Sequence, residues 1–577
     1  MKARQLQTWC TKNPIPKKIN YRMNHLEYFI KKSDLIIKFI IPLSLSLSLG
    51  PAGHAQVTFT SSVLPIVVID THSQDIPDDP KIPASMGIIY NGHGATNNIT
   101  DPYNDFNGNI GIELRGSSSQ SFPKKQYGIE VRDTTGNAID ASLLGMPAKD
   151  DWVLYAAYDD KTLVRDALAY TMGRAQGRYA SRVQFCELVL NGVYQGVYVL
   201  LEKIKRDKYR VNISKLKTSD NSGDAITGGY IIKIDKTTGG GGAGWSSSYP
   251  PLHRAYNQVV YFQYSYPKDV DITAQQQAYI KQYMDAFENT LSSSGFRDTV
   301  SGYQKYIDID SFVDFYLMME ATKNPDGYRL STFMYKDKDS KGGKLSMGPI
   351  WDFNEGFGNV DYCTKGNPEG FVTAYNTICP TDYFLIPFWW DKLFQDLAFN
   401  NKVAKRWAAL RNGPFQTQKI LHYVDSVASV LTTSSAQQRN FTQWPILGQY
   451  VWPNYYVGNS YTSEITWLKN WITQRMNWLD ANIQTITVVQ NRESQFEVLG
   501  FPNPVTSKFT IQYTIPEPAD VTLEIYTALG SKIESSLIHH AVAGAYGWEY
   551  SSYLSPGTYI VRVQMNQEVR HLRLTKQ

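Results

Sequence analysis

In "MGPIWDFNEGFGN", Met347 to Asn359, one aspartate stands among apolar residues. Ile350 and Trp351 precede Asp352, and Phe353 and Phe357 follow it. Burying a lone carboxylate is costly unless a cation or a donor meets it. Upstream, "SFVDFYLMMEATKN" is apolar on more than one face, which predicts a buried helix. Asp326, in "TKNPDGYRLST", comes directly after it, and the β-rich runs "STFMYKD" and "KLSMGPIWD" separate Asp326 from Asp352. A strand pair placed between two acids brings both to one edge of a sheet. Two carboxylates meeting there need a cation, a shared proton or bases. A hard divalent ion with phosphate oxygens is one way to satisfy them.

Working outward, the chain reads as an α+β protein. "LPIVVID", "MGIIYNG" and "IGIELRG" are short β-rich runs, and "KKQYGIEVRD" alternates with period two. "KTLVRDALAYTMGRAQG" repeats apolar residues at helical spacing and stops at Gly177. "VQFCELVLNGVYQGVYVLLEKI" predicts two strands joined at Asn191-Gly192, a strong hairpin signal. The glycine run in "TTGGGGAGWSSS" reads as a flexible loop, because no Gly-Lys-Ser/Thr follows and no helix opens there. Residues 271–330 and 381–485 read as mostly helical, with the tryptophans of the second stretch assigned to the core.

The order of parts is that of a protein kinase: a lysine-bearing strand, a helix, a hairpin ending at Glu202, further helices, then the two acids. Order alone is a weak signal. Six ordered motifs are more specific: "LRGSSSQSFPKKQYGIEVRD", "DWVLYAAYDDKTLVRDALAY", "ELVLNGVYQGVYVLLEKIKRDKYRVNI", "GGYIIKIDK", "NPDGYRLSTFMYKD" and "GPIWDFNEGFGN". Together, over residues 108–480, they resemble the CotH family, the atypical kinases named for a spore-coat protein. The resemblance implies an atypical protein-kinase-like core that uses ATP with Mg2+ or Mn2+ to phosphorylate protein hydroxyls. It implies Asp326 as catalytic aspartate and Asp352 as metal ligand. Relatives carry an asparagine five residues after the catalytic aspartate; here that residue is Ser331, with Asn354 as a possible substitute ligand. Helix 161–176 has no glutamate to pair with a strand lysine, so Glu113 or Glu202 would serve, or the pair is absent and the domain is a non-catalytic surface or glycan-binding protein. A carboxylate-pair hydrolase is the other enzyme class the two acids allow.

Parity selects the lysine. Lys125 shares a face with Tyr127 and Ile129 and is the nucleotide ligand if the apolar face looks into the cleft, with Lys124 the second candidate; the alternative is two solvated lysines after Pro123. The backbone of Glu202 would meet adenine, and Arg115 and Arg165 are candidate phosphate clamps.

Both ends of the chain point to export. "LIIKFIIPLSLSLSLG" followed by "GPAGHAQ" reads as a signal peptide, 1–55, cleaved after Ala55. A β-rich segment, 56–107, would precede the core at 108–490. Cys363 and Cys379 bracket a loop, and in an exported protein a disulfide between them is plausible. From 498 to 577, short alternating strands predict a β-sandwich. There "FPNPVTSKFTI", "LSPGTYIVRV" and "LRLTKQ" resemble the C-terminal sorting domains of the type IX secretion system of Bacteroidetes-type bacteria. That resemblance implies delivery through the periplasm to the cell surface or medium, with the secretion machinery as partner. A net charge of +4 over 577 residues argues against nucleic acid as the main partner. No stretch after the signal could span a bilayer.

Overall fold

The computed structural model describes residues 57–237, 242–489 and 496–577, apart from Pro516, Ala541, Ser552 and Gln567. The expected signal peptide and residues 238–241 of the glycine run lie outside the described residues.

Seven strands close into a barrel. They are β1 (Ile66–Asp70), β2 (Ile82–Ile89), β3 (Phe106–Arg115), β4 (Gln126–Arg132), β5 (Asp151–Tyr155), β6 (Val183–Leu190) and β7 (Val193–Glu202). Around the barrel the order is β6-β7-β5-β4-β3-β2-β1, and a parallel β1–β6 pairing closes it. Inward residues such as Val67, Ile110, Ile129, Leu154 and Leu200 fill the interior, so the alternation in the sequence is the barrel's inside and outside. Asn191 and Gly192 both take positive φ, 51° and 75°, as a two-residue turn matched to strand twist requires. Across the expected boundary at 107/108, β2 pairs with β3 from Ile82–Ile112 to Ile88–Phe106, so the strands within residues 66–89 join the barrel. A run of short β segments could not reveal which strands they pair with.

Helix α1 (Arg165–Ala175) lies between β5 and β6 in sequence. A second sheet has the order β9-β10-β8-β11-β12, from β8 (Tyr230–Ile234), β9 (Gly244–Ser246), β10 (Tyr261–Tyr266), β11 (Thr332–Lys336) and β12 (Leu345–Met347). Between β10 and β11 come α2 (Ala274–Ser292), opened by a Thr273–Gln276 capping box, and α3 (Ile309–Thr322). Residues 311–322 of α3 are all buried, as apolar residues on more than one face demand. After β12 come α4 (Leu397–Arg411), α5 (Thr417–Thr433), α6 (Ala436–Gln443) and α7 (Tyr461–Val489). Trp389, Trp390, Trp407 and Trp471 are buried there, whereas Trp452 is half exposed. A disulfide joins Cys363 to Cys379.

The tail holds a three-stranded and a four-stranded sheet around one core that includes Phe509, Ile511, Val521, Leu523, Val561 and Val563. No helix among the described residues is long and apolar enough to cross a membrane.

Candidate functional site

The β11–β12 hairpin does what its placement predicts. Met334 pairs with Met347 and the Gly348 N–H donates to the Phe333 carbonyl at 2.8 Å, so the segments before β11 and after β12 run side by side. Asp326 and Asp352 thereby reach the wall of one cavity, and Ser331 Oγ stands 3.4 Å from Asp352 Oδ2. Asp352 has φ +67° and Ser331 φ +47°, a region L-residues rarely occupy and one that persists where surroundings over-determine it. The surroundings here are specific. The Asp352 N–H donates to Tyr170 OH at 3.2 Å, the Phe353 N–H to Asp166 Oδ1 at 2.9 Å, and Asn324 Nδ2 to the Asp352 carbonyl at 2.8 Å. Asn324 also accepts the Asp326 N–H at 3.1 Å, so one amide ties the two acidic segments together.

The cavity wall carries five carboxylates: Asp166, Asp235, Asp326, Asp352 and Glu355. Burial pushes Asp352 up to about 6, with the charges of Asp326 and Asp235 adding, against Lys236 and Arg115. Burial, then Asp326, raises Glu355 to about 8; burial, then Asp352, raises Asp166 to about 8. Behind them burial lifts Asp159 to about 7 although Asn354 Nδ2 donates to it at 2.6 Å. Asp352 and Glu355 lie deep in the fold yet open onto the cavity, so solvent reaches them. Like charges this close disfavour one another's ionised form and so add to the effect of burial.

Three cations line the same cavity: Arg115, Lys233 and Lys236. Arg115 ends β3 and its guanidinium lies 5.3 Å from the Trp351 ring centre. Lys233 Nζ pairs with Asp235 Oδ2 at 2.9 Å. Ser117, Ser118 and Ser119, in the turn after Gly116, complete the polar wall, while Val153, Leu201, Leu330 and Trp351 give an apolar part. The donors are oxygens, the set that suits a hard divalent ion. Among the described residues no three His, Cys, Asp or Glu side chains form a ready-made metal cage.

Several expected residues lie elsewhere. Lys124 is buried away from the cavity, where Nζ donates to the Val197 carbonyl at 2.5 Å and Asn440 Oδ1 at 2.9 Å; burial depresses it to about 7. Lys125 Nζ donates to the Gln120 carbonyl at 2.7 Å. Parity misled because β4 begins at Gln126, so neither lysine belongs to the alternating strand. Arg165 turns inward to a buried ion pair with Asp160. Glu202 is held by Arg182 at 2.9 Å, its N–H donates to the Arg182 carbonyl, and it does not line the cavity, although Leu201 beside it does. Glu113 pairs with Lys81 at 3.0 Å. Of the expected set, Asp326, Asp352, Ser331, Asn354 and Arg115 come together at the cavity. Sequence reasoning missed Asp166, Lys233, Asp235, Lys236 and Glu355. "GGYIIKIDK" held a signal, since Lys233 and Asp235 alternate at a strand end; Asp166 was overlooked because only a glutamate was sought in that helix.

The site and folds thus define an α+β protein with a carboxylate-rich cleft faced by three cations. Residues 112–479 match the CotH kinase protein family, and the chain belongs to that family. Residues 500–577 match a secretion system C-terminal sorting domain, which marks a protein handled by a secretion system. No curated protein matches the chain.

Proposed function

We propose that the chain is an exported atypical protein kinase that transfers the γ-phosphate of ATP to hydroxyls of a protein substrate. The observation that carries this reading is the facing of mutually repelling carboxylates by Arg115, Lys233 and Lys236 in one cavity of a CotH family member. Arg115, Lys233 and Lys236 are assigned to the phosphates, with the serine hydroxyls beside them. Val153, Leu201, Leu330 and Trp351 offer apolar surface to a base. Asp352, with Ser331 and Asn354, is assigned to a divalent ion, Mg2+ or Mn2+. Such an ion would offset the negative charge of the phosphates. Asp326 orients the attacking hydroxyl and accepts its proton. The reading keeps a kinase-like core, a removable signal at 1–55 and a type IX sorting sandwich at 498–577, with the cell surface or medium as destination.

The test is the melting temperature with ATP plus Mg2+ or Mn2+, together with transfer of labelled γ-phosphate to dephosphorylated casein. An upward shift and transfer are expected. Asp326→Ala is expected to abolish transfer and keep the shift, because binding resides in other groups. A wild-type protein whose melting ignores ATP with either metal would sink the kinase reading in favour of a binding protein.

A further inference from the structure

Asp326 is not alone at the edge of the cavity. Three residues on, Arg329 is buried and does not reach the cavity wall. Its Nη2 donates to Asp326 Oδ1 at 2.8 Å and its Nε to the Pro325 carbonyl at 2.7 Å. The same guanidinium thus grips both the carboxylate and the backbone just before it. The backbone between them is a tight turn, in which the Arg329 and Leu330 N–H groups both donate to the Asp326 carbonyl, at 3.2 and 2.9 Å.

The far side of Arg329 is as firmly held. Nη1 donates to the Phe384 carbonyl at 3.2 Å and to Asp382 Oδ1 at 3.3 Å. The guanidinium plane lies 4.2 Å from the centre of the Tyr375 ring, and Tyr375 OH donates to Asp382 Oδ2 at 2.5 Å. Tyr375 and Asp382 flank Cys379, which the disulfide ties to Cys363. So a planar cation with a fixed stem connects Asp326 to a cross-linked segment 49 to 56 positions along the chain (375 − 326 and 382 − 326).

We infer that Arg329 is the positioning residue of Asp326: it fixes one carboxylate oxygen and leaves the other for the acceptor hydroxyl. A guanidinium suits this because its donors are coplanar and one face can stack while the edge bonds. A mere loop tie would hold the backbone without bonding the carboxylate oxygen, which Nη2 does here. The inference rests on the kinase reading of this cavity, and its test separates the two.

The experiment compares wild type, Arg329→Lys and Arg329→Met, each measured for the melting shift with Mg2+ and ATP and for kcat and KM of casein phosphorylation. Loss of the ATP shift in wild type would defeat the kinase reading itself. With the shift present, Arg329→Lys is expected to lower kcat about 10- to 100-fold with KM for ATP changed less than about 2-fold. Arg329→Met is expected to lower kcat at least as far and to keep the ATP shift. Should Arg329→Met not fold, the Lys variant decides through the split between kcat and KM. Wild-type kcat in the Lys variant would overturn the inference. So would a folded Met variant whose KM for ATP rises while its kcat holds.

Discussion

Two clusters of buried charge each include a residue at or just after the end of α3, and the protein treats them in opposite ways. The first joins Glu320, Lys323 and Arg475. Arg475 Nη2 meets Glu320 Oε2 at 3.1 Å with both side chains fully buried. The Val372 N–H donates to Glu320 Oε2 at 2.8 Å, while Arg475 Nη1 donates to the Pro368 and Gly370 carbonyls, each at 2.7 Å. Lys323 Nζ reaches the carbonyls of Thr364, Asn367 and Glu369, acceptors that favour its ammonium against the burial that pushes it down to about 7. The second cluster is the cavity, where burial first, and then neighbouring carboxylates, push Asp352, Glu355 and Asp166 upward. A charge cluster closed by its own donors and acceptors is architecture. One left with excess like charge and an opening to solvent is a place for something to bind.

That contrast can be broken most sharply at Asp352. Asp352→Asn keeps the shape and removes a repelling charge. Phosphoryl transfer should fall about 100- to 1000-fold, the scale on which preorganised charge acts in a dry site. The metal-free protein should melt at the same temperature as wild type or higher. A variant that melts well below wild type yet still transfers phosphate would reverse the assignment of the two clusters.

Arg475→Met probes the other side. Glu320 would be left buried without its cation, a loss of about 3–5 kcal/mol. Melting should drop accordingly, while the remaining folded protein keeps its ATP-dependent shift. If transfer disappears and the melting temperature holds, Arg475 belongs to the site rather than to the scaffold.

The same contrast explains what could be read from the sequence. The closed cluster was invisible there: Glu320, Lys323 and Arg475 are spread along the chain, and nothing local announces that a cation will find three carbonyls. The pair Asp326 and Asp352 was legible because a hairpin lies between them, and a hairpin returns its ends to one place whatever the rest of the fold does. Lys233 and Lys236 were harder, because β8 reaches the cavity through pairing with β11, 98 to 106 positions away from the Ile234–Thr332 pair to the Tyr230–Lys336 pair (332 − 234 and 336 − 230). Lys124 and Lys125 were misread for the opposite reason. A local pattern was extended two residues past the strand that owned it. The barrel's first two strands were seen as strands but not as barrel, since a closing β1–β6 pairing leaves no mark in either segment.

The smallest effect expected is a slope. The carboxyls of Asp352, Glu355 and Asp166 titrate near 6, 8 and 8 in the folded protein and near 4 in an unfolded chain. As pH rises through about 4, the unfolded chain releases these protons first and the folded protein still holds them. The folded state then binds more protons, so stability falls as pH rises from about 4 toward 8. Groups with depressed values do not disturb this window from below. Asp151, near 2, contributes stability fully present above about pH 4 and lost only on further acidification. From above, Lys124 and Lys323, depressed to about 7, contribute stability that grows between about 7 and 10, where the folded lysines have lost protons that the unfolded ones still hold. The clean interval is therefore pH 5 to 7. There the metal-free protein should lose stability with rising pH at no more than about 1.4 kcal/mol per unit for each proton involved. Solvent in the cavity reduces that figure. Asp352→Asn should flatten the slope, and Mg2+ with ATP should flatten it in wild type by favouring the ionised acids. Melting curves at half-unit steps of pH decide the matter. A wild-type melting temperature that climbs from pH 5 to 7, or a slope that Asp352→Asn leaves unchanged, would show that the cavity acids are already neutralised from within.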